Sequence, residues 1–283
     1  MKSTIFTLFL LCFTAHLCVA EEASPFFAAA QTTYGSYNGS AERKSLLTEA
    51  GTLGYATDNF GATVIVRNWK LYRISVLGDL SGIDTNVSLY AWRKVGTAGS
   101  LGATAAVNYL TGNDSNTDQK VVPYGAITYK TPDGGQYFDV GYAYMGYNDT
   151  TVNQLSATWG IALFDRCVWA QTRLYYHNLS TEVQGKGQTT AVEERLTWYV
   201  VPSTVSLTLS GMVGQRIYGY DPDLKITYTL SDIQQGSVGL TGAWQITPAL
   251  SLFGDVTYAT YEKRSINNSY NAVFGTVGLS FNF

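Results

Sequence analysis

Histidine, cysteine and charge are all scarce in this 283-residue chain, which has two histidines, three cysteines and 14% charged residues. An average soluble domain carries about 25% charge. Low charge beside 14% aromatic residues is the reverse of a disordered composition, so disorder is excluded. The formal net charge of −3 argues against nucleic acid as a partner, because binding phosphates draws on clustered Lys and Arg. Ala, Glu, Lys, Leu and Arg do not dominate, which excludes a coiled coil. Beyond residue 20 the longest apolar run is Phe26-Phe27-Ala28-Ala29-Ala30, far too short for a membrane-spanning helix. What is plentiful is Tyr (21) and Gly (28), and this composition reads as all-β.

The first twenty residues read as an export signal. Lys2 supplies a positive start, Ile5 to Phe13 are apolar except for Thr7, and Cys18-Val19-Ala20 ends on small residues before Glu21-Glu22. Cleavage after Ala20 is expected, leaving 21–283 as one domain. Cys12 and Cys18 follow Leu11 and Leu17 rather than small residues, which argues against lipidation. Processing also removes His16, so Cys167 and His177 are the only thiol and imidazole expected in the mature chain. One thiol forms no intrachain disulfide, so stability must come from hydrogen bonds and burial.

The mature region alternates with period two. Val273, Gly275, Val277, Leu279, Phe281 and Phe283 share one face, while Ala272, Phe274, Thr276, Gly278, Ser280 and Asn282 share the other. Leu250, Leu252, Val256 and Tyr258 alternate with Ser251, Asp255 and Thr257. Phe138, Val140, Tyr142 and Tyr144 alternate with Asp139, Gly141 and Ala143, and Leu196 and Trp198 with Arg195 and Thr197. A half-buried sheet in a soluble sandwich alternates too, but three features favour a membrane barrel. The second face is small or uncharged. Aromatics recur near strand ends at Tyr109, Tyr129, Tyr144, Trp159, Tyr176, Trp198 and Tyr258, as interfacial girdles do. Short connections (131–135, 164–166, 202–203, 247–249) alternate with longer ones (111–120, 179–191, 218–235, 262–270). The spacing predicts strands near 86–95, 101–110, 121–130, 136–145, 151–162, 168–178, 192–201, 204–216, 236–246, 250–261 and 271–283, with three more between 26 and 78. The fold class is therefore an all-β, transmembrane, antiparallel up-and-down β-barrel of about 14 strands, with 12 as the alternative.

The segment Val273 to Phe283, ending Gly278-Leu279-Ser280-Phe281-Asn282-Phe283, closely resembles the terminal strand of bacterial outer-membrane β-barrel proteins. In that class, alternating apolar residues and a final Phe are read by the barrel-assembly machinery. The resemblance implies that Phe281 and Phe283 are the assembly signal. It also implies outer-membrane lipid and lipopolysaccharide as surroundings, and that machinery as a partner. A second resemblance covers the last third: Asp221-Pro222-Asp223-Leu224 and Trp244-Gln245-Ile246-Thr247-Pro248-Ala249-Leu250-Ser251-Leu252 are similar to short barrels related to exopolysaccharide-export proteins.

Asp139, Arg173, Glu193, Arg195 and Asp255 fall on the inward face. An Arg turned to lipid near the midplane would cost about 2 to 4 kcal/mol. Glu193 and Arg195 stand about 7 Å apart along one face and are placed to pair or line a constriction. Two arginines against three acids predict no clear ion selectivity. Tyr175, Phe253 and Phe274 are expected to narrow the bore. His177 is expected at the rim beside Tyr175 and Tyr176; a catalytic role would need it to act as base for Ser180, polarised by Glu182. One histidine makes no constellation, so no catalytic, metal or cofactor residues are assigned. Asp114, Asp118, Asp221 and Asp223 read as solvated loop charges, or as contacts to a divalent ion between lipopolysaccharide phosphates. The function expected is a narrow pore for small hydrophilic solutes or a glycan chain. The rivals are a structural or adhesive barrel with a plugged lumen, and a barrel enzyme hydrolysing lipid or peptide. The processed polypeptide is expected to require detergent and to change gel mobility on boiling. Free solubility with unchanged mobility would overturn the barrel.

Overall fold

Fourteen strands close on themselves in the computed structural model, which describes residues 24–74 and 76–283. The proposed export signal lies outside the described residues. The strands of the first half are β1 (Phe26–Asn38), β2 (Arg43–Ala56), β3 (Phe60–Arg73), β4 (Leu80–Lys94), β5 (Ser100–Gly112), β6 (Lys120–Lys130), β7 (Gln136–Gly146) and β8 (Thr151–Leu163). Then come β9 (Val168–Val183), β10 (Lys186–Val201), β11 (Val205–Arg216), β12 (Gly219–Asp221), β13 (Ile226–Tyr228), β14 (Ile233–Gln245), β15 (Leu250–Lys263) and β16 (Asn268–Asn282). Each barrel strand pairs antiparallel with its chain neighbours, except that β11 pairs directly with β14. The intervening β12 and β13 form a separate two-stranded sheet. Three strands do lie between 26 and 78, and the twelve-strand alternative is excluded.

Closure follows from the alternation and from the register of the two ends. β1 runs against β16 from Phe27 opposite Asn282 to Asn38 opposite Asn271, so neither terminal strand is left as an edge. Phe283 N–H then donates to the Phe26 carbonyl at 3.1 Å, and Ser24 N–H to the Phe283 carbonyl at 2.9 Å. The faces sort as the period-two pattern demands. Ile127 (69% exposed), Val140 (62%) and Val213 (68%) stand on the exterior with a continuous belt of Leu, Val, Tyr and Trp. Such an apolar surface far exceeds what a water-soluble monomer exposes, and hydrocarbon is the medium that covers it. Tyr109, Tyr144, Tyr176 and Tyr258 lie toward one end of this belt, and Trp159, Trp198 and Trp244 toward the other. Two carboxylates depart from the rule: Glu49 and Glu194 face outward, and the Thr172 hydroxyl donates to Glu194 at 2.9 Å.

Both chain ends share one rim with the short connections 57–59, 95–99, 131–135, 164–167, 202–204 and 246–249. In the turn at 131–135 the Asp133 carboxylate accepts from Thr131 Oγ1 (2.6 Å) and Gly135 N–H (3.1 Å), while Gly134 takes a φ of 68°. The opposite rim differs from the sequence expectation in two places. The connection expected over 179–191 is instead a continuous β-ribbon: β9 and β10 run on to a two-residue turn at Gln184-Gly185, with φ of 53° and 71°. Those dihedrals are what a tight hairpin matching the strand twist requires, so pairing continues past the point where the apolar pattern fades. The connection at 217–232 does not project outward; it folds into the barrel and forms β12 and β13 there.

Two inner-face aromatics also behave differently from expectation. Phe253 lies flat over Gly278 and Phe274 over Gly35, where a Cβ would collide with either ring. Each ring is pressed along the wall by the glycine opposite it rather than thrust into the bore. Cys167 is exposed in the 164–167 turn, on the rim of the chain ends. With that rim facing the periplasm, a membrane-impermeant maleimide is expected to spare Cys167 in intact cells and label it once the outer membrane is permeabilised. Labelling of intact cells would invert the orientation.

Candidate functional site: the in-folded hairpin and its polar seat

A strand that alternates strictly must aim every second side chain into the bore, and the polar ones among them need partners there. The segment 217–232 supplies these. Its base is apolar and aromatic. Ile217, Tyr218 and Tyr220 are buried against Tyr124, Met145, Tyr147 and Val152. The Tyr147 and Tyr218 rings stack with centroids 4.2 Å apart, and Tyr124 and Tyr220 meet at 4.9 Å. Tyr218 also donates to Asp149 (2.9 Å) and accepts from the Asn116 amide (2.9 Å). Gln154 on β8 holds the Tyr220 peptide in both directions: its amide donates to the Tyr220 carbonyl, and its oxygen accepts the Tyr220 N–H, both at 2.8 Å. One wall side chain thereby takes the place of a neighbouring strand.

The tip of the segment is polar. Asp221 accepts the N–H groups of Asp223 and Leu224, each at 3.0 Å, and sets the turn that Pro222 opens. Asp223 then faces β9 and β10. Both its oxygens accept from the Arg173 guanidinium, at 2.8 and 2.9 Å, and Arg195 adds a third bond at 2.6 Å. Across the bore, Arg67 on β3 donates to the Lys225 carbonyl at 2.8 Å and to the Leu224 carbonyl, while holding Asp84 at 3.3 Å. Asn108 on β5 donates to Thr227 at 2.7 Å, and Asn86 on β4 to the Tyr220 hydroxyl at 3.3 Å. The returning arm is fixed by Asp232, which pairs with the buried Arg43 and accepts from Tyr270 at 2.5 Å. Above the segment, toward the outer rim, lies a cavity of about 480 Å³ lined by Arg43, Arg73, Asp149, Tyr218 and Lys263 among others.

The five candidates read from the sequence do not form one cluster. Arg173, Glu193 and Arg195 meet under the hairpin tip: Arg195 Nε donates to Glu193, whose other oxygen accepts from Tyr175 at 3.2 Å. Asp139 is buried beside them, accepting from Thr128 at 3.1 Å and, at 3.5 Å, from the same Thr158 that anchors Arg173. Asp255 stands apart on β15, accepting from Thr241 (3.1 Å) and Thr257 (3.1 Å). Tyr175 is buried in the seat itself. Asp221 is 2% exposed and Asp223 is ion-paired, so neither is a solvated loop charge. Asp114 and Asp118 order their own loop, accepting from Asn116 N–H (3.1 Å) and Gly112 N–H (3.0 Å).

His177 is not at the rim. It is fully buried beneath the segment's base, with Nε2 3.2 Å from Gln154 Oε1. That oxygen already accepts the Tyr220 N–H, so His177 acts as a further donor to it. Ser180 points to the other face and bonds Thr151 N–H at 2.9 Å, and Glu182 is exposed; the three are not brought together. The sequence reading missed Arg43, Arg67, Asp84, Asn86, Asn108 and Gln154. Each lies at an inward position of its strand, and for the last three the only signal was a carboxamide recurring on an otherwise small-residue face.

No protein-family model matches the chain, and no curated protein matches it. Among solved structures, the barrel is similar to the Acinetobacter baumannii outer membrane protein Omp33, with TM-score 0.52, 13% identity, and coverage of 92% of this chain and 99% of that one. It is similar to the TodX deltaS2S3 mutant, a monoaromatic hydrocarbon channel, with TM-score 0.60, 9% identity, and coverage of 93% and 91%. A bacterial polysaccharide outer membrane secretin aligns with TM-score 0.50, 10% identity, and coverage of 90% and 98%. At such identities the likeness is one of fold. The chain is a closed barrel of the bacterial outer-membrane kind.

The latch makes its own prediction. Arg173 is 3% exposed at its side chain but Asp223 is 34% exposed, so removing the counter-ion is expected to cost less than the about 3 to 5 kcal/mol of a fully buried pair. In Asp223→Ala the tip is expected to leave its seat, exposing the Lys225–Ile226 bond to trypsin. Cleavage there should be fast in the variant and slow in the parent protein, read by the mass of the fragments. Equal rates would show that Asp223 does not hold the tip.

Proposed function

We propose that the chain is a narrow outer-membrane channel for small hydrophilic solutes or a glycan chain, closed by its own hairpin and opened when the tip of that hairpin withdraws. The observation that carries this reading is the division of labour within 217–232. The base is anchored by aromatic packing, whereas the tip is held by ion pairs and hydrogen bonds that water or a polar solute can replace. An anchored base with an exchangeable tip is the arrangement of a hinged gate. A bore that carries Asp, Asn, Gln, Thr and Arg among its tyrosines suits hydrated cargo. The polysaccharide secretin uses the same fold for a hydrophilic polymer. The reading assigns no catalytic residue, and Phe281 and Phe283, with rings 5.2 Å apart at the closing seam, keep their proposed role as the assembly signal.

The rival is a permanently plugged structural barrel, favoured by the burial of Tyr218 and Tyr220. Planar-bilayer recording separates the two. Deleting 219–228 is expected to convert rare, small openings into a steady current, and absence of current from the parent and the deletion alike would overturn the channel. Acid gives a second handle. Burial alone would raise the Asp223 carboxyl, but Arg173 and then Arg195 outweigh it and hold it below the usual range. A docked carboxyl with a lowered pKa stabilises the closed state fully above the free value of about 3.9 and loses that effect as pH falls through the lower docked value. Loss of the Asp223 latch is therefore expected to raise conductance as pH falls below about 4. An Asp223→Asn protein should lack this acid step.

A further inference from the structure

We propose that the Arg173–Arg195 pair is a subsite for the carboxylate of a small sugar acid, occupied in this structure by the chain's own Asp223. This rests on the channel reading above and names the class of solute that the channel takes. Asp223 meets Arg173 as a free carboxylate would, with two oxygens against two guanidinium nitrogens at 2.8 and 2.9 Å. Arg195 (2.6 Å) and the Gln171 amide (3.4 Å) complete the contacts. Planar fork-to-fork pairing of this kind selects carboxylates by shape as well as by charge.

The seat is built by the wall and not by the loop. Arg173 Nε donates to Thr158 Oγ1 at 2.8 Å, and Arg195 Nε donates to Glu193, which Tyr175 holds in turn at 3.2 Å. Both guanidinium groups are thus oriented through Nε, Arg173 by the neighbouring strand β8 and Arg195 by Glu193 on its own strand β10. Their outer nitrogens are left for whatever carboxylate arrives, so withdrawal of the tip leaves an aimed site rather than two loose side chains. The ligand position is also reachable: the Asp223 side chain is 34% exposed while Arg173 beneath it is 3% exposed. Charge points the same way. Asp221 and Asp223 enter with the loop, and Arg195 lies 3.7 Å from Asp221 as well. When they leave, two guanidinium groups remain against Glu193 and the neighbouring Asp139, so this level moves from a net negative balance to an even one. Gln171 borders the seat with an amide of the kind that sugar hydroxyls use.

The test is bilayer recording of Asp223→Ala in a potassium chloride gradient, with the fold checked by mobility before and after boiling. The reversal potential is expected to shift toward chloride relative to the parent. Galacturonate should reduce the current in a saturable manner, and galactose should not. Adding Arg195→Gln to Asp223→Ala should abolish both the shift and the galacturonate effect. An unchanged reversal potential, or galacturonate and galactose acting alike, would overturn the subsite while leaving the channel standing. If Asp223→Ala passes no current, the channel reading falls. The subsite is then decided by equilibrium binding of galacturonate to the detergent-purified variant: saturable binding lost with Arg195→Gln upholds it, and no binding overturns it.

Discussion

Hydrocarbon offers a peptide group no hydrogen-bond partner, and an unpaired N–H or carbonyl there costs several kcal/mol. For a chain of short alternating strands, one arrangement pairs every group: a sheet joined to itself. Here the joint is made by β1 and β16 over twelve opposed residue pairs, with the two chain ends bonded beyond it. Once closure is imposed, one face of each strand must meet lipid and the other must meet its counterparts across a bore. The placement of polar groups is therefore decided by closure, and the chemistry of the interior follows from it.

A closed ring of fourteen strands is too wide for its own side chains to fill and narrower than the open porins. Inward polar side chains then either face water or are answered by something brought into the bore. In this protein the answer comes from the connection between β11 and β14. The segment reproduces what a partner strand or a solute would supply: at its tip, carbonyls for Arg67 and a carboxylate for Arg173 and Arg195, and at its base a peptide for Gln154. Replacing water by these groups gives little net energy per neutral bond, while leaving a buried guanidinium unmet is costly. The latch thus depends on few contacts, Asp223 foremost, and is balanced more finely than the aromatic base that anchors it.

Much of the site was legible in the residues, though not its assembly. Alternation alone placed Asp139, Arg173, Glu193, Arg195 and Asp255 on one face, because a one-residue change of face would set charge against lipid. The same reasoning applied to β3 would have reached Arg67, but the mixed pattern between 26 and 78 hid that strand's register. Asp221 and Asp223 were read as loop charges since nothing in a polar connection tells whether it folds outward or inward. Phe253 and Phe274 were read as obstructions because the glycines that flatten them, Gly278 and Gly35, belong to other strands.

The sequence by itself determined the class of fold, the strand spacing and faces beyond residue 86, and the lipid-covered exterior. All of these are local consequences of period two and of charge avoiding hydrocarbon. Only the tertiary structure decided that fourteen strands close, that β9 and β10 pair out to Gln184-Gly185, and that residues 217–232 turn into the bore. Those outcomes hang on contacts between residues far apart in the chain, such as Arg67 with Leu224 or Arg43 with Asp232. Such contacts are set by the circumference of the ring, and no stretch of neighbouring residues encodes that distance.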